Sequence, residues 1–87
     1  MDLSERIRES LAALDPRSVE LFDESGRHVG HAGAAAGGSH FRLRVVSPRF
    51  VGLERLERHR MVYAALGPLM RREIHALAIE AVAPDEL

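Results

Sequence analysis

The chain has 87 residues, enough for one domain with a single modest core, and its 46% hydrophobic and 29% charged composition suits a soluble globule. No apolar run approaches the ~20 residues of a membrane span, and the acidic start from Met1 to Glu5 is unlike a secretory signal, so a cytoplasmic protein is expected. A net charge of −1 leaves only a modest electrostatic footprint, and the absence of cysteine excludes disulfides, thiolate nucleophiles and thiolate metal sites.

Leu3, Ile7, Leu11 and Leu14 recur at helical spacing, with Asp2 at the N-cap and Asp15-Pro16 as the stop. Residues 18–23 alternate, Val19 and Leu21 on one face and Glu20 and Phe22 on the other, which reads as a strand. Residues 24–39 are rich in glycine and alanine and have no periodicity, so a long mobile loop is expected, of a length more often functional than not. Alternation returns over 40–46, with Phe41, Leu43 and Val45 opposed to Arg42 and Arg44, and this strand should pair with the first as a wide hairpin. Ser47-Pro48 ends it, and residues 49–52 should form a single turn or short helix. From Leu53 a second amphipathic helix is traced through Leu56, Tyr63, Leu66 and Met70, with Val62 and Leu69 beside them, and Gly67-Pro68 should end or kink it. Residues 74–82 form a last strand with Leu77 and Ile79 inward, Glu80 outward, and His75 in phase with Leu77. The expected fold is α+β, one domain over 1–87, ordered helix, strand, strand, short helix, helix, strand, with a three-stranded mixed sheet covered on one face by helices.

Any metal bound by this chain must use histidine or carboxylate, and five histidines are present. His59, between Arg58 and Arg60, reads as a partly buried helical side chain, and His40 as a strand-opening residue that caps or closes the hairpin. His28, His31 and His75 remain as candidate ligands, meeting only if the loop folds over the head of the last strand. No nucleophile elbow, paired carboxylates or phosphate loop is present, so an enzyme is not expected. Gly30-His31-Ala32-Gly33 matches the GxxG of KH modules, but lies between strands where that loop joins helices. Residues 40–72 carry eight arginines against two acids. Arg49, Arg55, Arg58 and Arg60 are the candidate phosphate contacts of a second reading, in which the turn before the long helix opens a helix-turn-helix.

Five spaced blocks, in order, carry a resemblance that runs from end to end of the chain: Asp23-Glu24-Ser25 with His28, Gly38-Ser39-His40-Phe41, Val45-Val46-Ser47 with Phe50 and Gly52, Arg58-His59-Arg60-Met61-Val62-Tyr63, and Ile74-His75-Ala76-Leu77. In these the chain resembles the BolA family. The resemblance implies a class II KH-like fold and an adaptor or regulator. It implies pairing with a monothiol glutaredoxin around a shared [2Fe-2S] cluster, with iron–sulfur trafficking or iron-linked regulation as the setting. The thiolates would come from the glutaredoxin and its glutathione, and the imidazoles from His75 and His28, with His31 as an alternative loop ligand. Imidazole in place of thiolate raises a cluster's reduction potential. No cluster is expected on the isolated chain, which would be a monomer or weak homodimer. DNA binding and transcriptional regulation are the alternative the family also implies.

Overall fold

Helix α1 (Leu3–Leu11) begins where the sequence places its cap: the Asp2 carboxylate accepts the Glu5 N–H at 2.9 Å. It runs into a 3₁₀ turn (Ala12–Leu14) and ends on Asp15, whose φ of 50° is a left-handed conformation that an aspartate tolerates better than most residues. The computed structural model describes residues 2–24 and 39–87, Ser39 by its backbone alone. Strands β1 (Ser18–Asp23) and β2 (Ser39–Val46) pair antiparallel, with Ser18 opposite Val46 and Asp23 opposite Phe41. A 3₁₀ turn (Pro48–Phe50) leads to α2 (Arg55–Leu66), α3 (Leu69–Arg72), β3 (Ile74–Val82) and a last turn (Pro84–Glu86). Strand β3 lies parallel to β2, giving the order β1-β2-β3 with β2 at the centre, and α2 and α3 form the crossover that a parallel neighbour requires. The α+β mixed sheet expected from the periodicities is therefore present. Among the described residues no helix is long and apolar enough to cross a membrane.

One face of the sheet is covered. Phe41, Leu43 and Val45 from β2 pack with Ile7, Leu11 and Leu14, with Val62, Leu66 and Leu69, and with Phe50, Ile74 and Ala83. Phe50 is wholly enclosed, a burial that stabilises by about 1.5–3 kcal/mol. The inward stripe of α2 agrees with the predicted one at Leu66, with Val62 beside it, but not at Leu56 and Tyr63, which are 60% and 43% exposed. Apolar residues occupy more than one side of this helix, so its own pattern defines no single face; Arg58, one turn before Val62, lies on the same face as the buried Val62 and Leu66. Gly67, at φ 54°, ends α2 as expected, and α3 starts directly after Pro68.

Two polar anchors hold the frame. Ser47 is completely buried; its hydroxyl donates to the Leu14 carbonyl and accepts the Arg49 N–H at 3.1 Å, while its own N–H donates to the Val82 carbonyl at 3.0 Å. Arg58 donates twice to the Glu86 carboxylate, at 2.7 Å each, and also to the carbonyls of Leu53 at 2.9 Å and Ala81 at 3.0 Å. Glu86 in turn accepts the Ala83 N–H at 2.9 Å. The Arg58 hydrogen bonds, then the Ala83 N–H, hold the Glu86 carboxyl down at about 2, well under its ordinary 4.5.

Ser47→Ala should destabilise the fold by about 1–3 kcal/mol, because it leaves the enclosed Leu14 carbonyl without its donor; equilibrium urea unfolding measures this, and an unchanged midpoint would contradict it. For Glu86, a carboxyl depressed in the folded state contributes stability in full above about pH 4.5 and loses it as pH falls toward about 2. Glu86→Gln should therefore unfold at lower urea than the native chain at pH 7, and the gap between their midpoints should close on acidification through that window.

Candidate functional site

The parallel register of β2 and β3 slips once. Ser39 is opposite Ile74, but His40 is opposite Ala76, so β3 carries His75 as one residue too many at this step. Such a bulge re-aims the side chains on either side of it. Ile74 is buried in the core, Leu77 packs against the same core three residues later, and His75 between them is exposed. The in-phase placement of His75 with Leu77, expected from strict alternation, is thus corrected by the bulge, which lets two apolar residues three apart share one face.

The exposed ring of His75 meets a second imidazole. Its centroid is 5.3 Å from that of His40, with the planes inclined by 39°. His40, the second residue of β2, is half-buried, its Nε2 shielded from solvent, and its carbonyl accepts the Glu24 N–H at 2.8 Å, which ties the end of β1 to the same place. A hollow of about 280 Å³ beside His40 is lined by Glu24, His40, Phe41, Ala76, Leu77 and Ala78. The two alanines project only methyl groups there. His40, read from the sequence as a strand-opening residue, is therefore the member of this site that sequence reasoning missed; the readable signal was the broken apolar phase between Ile74 and Leu77. His28 and His31 lie outside the described residues. His59, on α2, is half-buried as expected, and among the described residues no group of three histidine or carboxylate side chains could hold a metal ion.

The arginine-rich stretch does not form a basic sheet face. Arg42 pairs with Glu24 at 3.3 Å and lies over the Phe22 ring at 5.0 Å, and Arg44 bridges Glu20 at 3.3 Å and Glu80 at 2.8 Å. Cross-strand pairing of this kind cancels charge that looks unbalanced along the chain. Of the four arginines proposed for phosphate contact, Arg58 is 11% exposed in its side chain and committed to Glu86, its guanidinium 6.0 Å from the Phe50 ring, and Arg49 donates to Asp15 at 2.8 Å. At the start of the same helix the Glu57 carboxylate accepts the Glu54 N–H at 3.2 Å. Arg55 and Arg60 are exposed on α2. The element before α2 is one 3₁₀ turn whose Phe50 sits in the core, shorter than the leading helix of a helix-turn-helix.

Comparison with known proteins agrees with this architecture. A family model described as BolA-like protein matches residues 11–86. BolA-like protein 1 of Bos taurus is 50% identical over 74 residues, 85% of this chain and 53% of that protein, so the chain spans about half the length of this relative. The DNA-binding transcriptional regulator BolA of Escherichia coli (strain K12) is 45% identical over 80 residues, 91% of this chain and 73% of that one. The structure of BolA1 from Arabidopsis thaliana superposes with a TM-score of 0.84 at 34% identity, covering 100% of this chain and 97% of that chain.

Proposed function

The chain belongs to the BolA family, and from that premise we propose that it is a non-enzymatic adaptor that joins a monothiol glutaredoxin and contributes imidazole to a shared [2Fe-2S] cluster. The observation that carries this reading is His75, exposed on a bulge of a regular strand, in a chain without a single thiol. A cluster iron takes thiolate or imidazole ligands. This chain's donor set fits only the second kind, and His75 is a backbone-anchored member of it. The second imidazole falls to His28 or His31. When bound, the cluster would supply a one-electron iron–sulfur centre that can be passed to an acceptor whose own ligands replace these. The protein's own part is mechanical: β2 and β3 hold the His75 backbone in register, and the bulge turns its ring outward to a partner surface. An adaptor role also accords with a sequence that holds no nucleophile elbow, paired carboxylates or phosphate loop.

A second reading is supported by the E. coli relative, whose name states DNA binding and regulation. On this chain it would use Arg55 and Arg60, which project from α2 as phosphate contacts and position the protein without reading bases.

The adaptor reading is tested by reconstituting iron and sulfide on the chain together with a monothiol glutaredoxin and glutathione. A red-brown heterodimer should form, the chain alone should stay colourless, and His75→Ala should abolish the visible circular dichroism of the complex. His28→Ala should leave a weaker, altered spectrum, with His31 taking its place as ligand. A colourless complex, or one that survives loss of His75, overturns the reading. For the DNA reading, Arg60→Ala should weaken binding to all duplexes alike and reduce the slope of log affinity against log salt by about 1; a sequence-selective loss in electrophoretic shift assays would contradict a phosphate role.

A further inference from the structure

We propose that His40 and His75 form a chelating pair for one divalent transition-metal ion, of the Zn²⁺ and Cu²⁺ class, on this chain by itself. The pair is formed by backbone geometry. His40 and His75 come from different strands, and without the one-residue slip His75 would be directed with Leu77 toward the helices. The slip sets the two rings side by side on one end of the sheet, 5.3 Å between centroids and 39° between planes. That spacing is close to what a shared ion demands. With Zn–N of about 2.0–2.1 Å and a ring nitrogen roughly 1.1 Å from its ring centre, two imidazoles at a tetrahedral angle place their centroids about 5 Å apart. Parallel, closely stacked rings would direct their nitrogens past one another, and the observed inclination avoids that arrangement.

The surroundings suit a two-ligand site completed by water. Ala76 and Ala78 border the hollow beside His40 with methyl groups only, so neither of them covers that ring. The Glu24 carboxylate borders it too, but is held by Arg42 at 3.3 Å and is not counted as a ligand. With no third histidine or carboxylate in reach among the described residues, the site is bidentate. Its selectivity follows from imidazole as a borderline donor: Cu²⁺ should bind more tightly than Zn²⁺ or Ni²⁺, and Mg²⁺, which takes oxygen ligands, should not bind. This site needs no glutaredoxin, so it stands or falls separately from the shared cluster.

The test is calorimetric titration of Zn²⁺ into the full chain, alone. One ion should bind per chain. His40→Gln and His75→Gln should each weaken binding at least tenfold, while His59→Gln, His28→Gln and His31→Gln keep the native affinity. No binding by the native chain, a loss under tenfold in either pair variant, or a loss that follows His28 or His31 instead would overturn the proposal. Thermal melting checks that each variant is folded. If His40→Gln is not, the exposed His75→Gln carries the mutational test, and nuclear magnetic resonance of the native chain completes it: the ring signals of both His40 and His75 must shift with Zn²⁺, and a stationary His40 ring overturns the pairing.

Discussion

The fold depends on a buried serine. Ser47 follows directly on the central strand, and its three hydrogen bonds reach Leu14 at the end of the first helical segment, Val82 at the end of β3 and Arg49 in the next turn. Segments more than thirty residues apart in sequence are thus held at one point inside the core. A buried hydroxyl is tolerated only when fully bonded, which makes this junction specific as well as stabilising. It closes one end of the sheet and leaves the other end, where His40 and His75 lie, to carry variation in register.

That distribution explains where the candidate site sits. From His40–Ala76 to Val46–Val82 the β2 and β3 pairing is unbroken, and the slip occurs at the end farthest from Ser47. An extra residue costs ladder hydrogen bonds, so it is best accommodated where a strand begins. The same slip lets Ile74 fill the core and frees His75 from it. Core packing and presentation of the imidazole are therefore consequences of one backbone irregularity.

Electrostatics follow a similar logic of spatial pairing. Arg44 between two glutamates, Arg42 between Glu24 and Phe22, and Arg58 beneath the terminal turn each spend their charge within the fold. The guanidinium of Arg58 serves the last turn as a planar fork with two parallel bonds, a geometry that lysine could not reproduce. The face of α2 that buries Val62 and Leu66 and leaves Leu56 and Tyr63 outward is also the face that brings Arg58 to Glu86.

By itself the sequence determined the elements whose signals are local. The Asp2 cap, the alternation of β1 and β2, the stop at Gly67-Pro68 and the helix-covered mixed sheet were all legible, because caps, period and backbone-restricted residues act within a few positions. It also limited the metal chemistry to imidazole and carboxylate, and singled out His75. Only the tertiary structure decided which face of α2 is inward, which arginines are engaged and that His40 stands beside His75. Each of these turns on contacts between segments distant along the chain: Arg58 with Glu86, Arg44 with Glu20 and Glu80, and a one-residue slip between two strands that no period of two can announce.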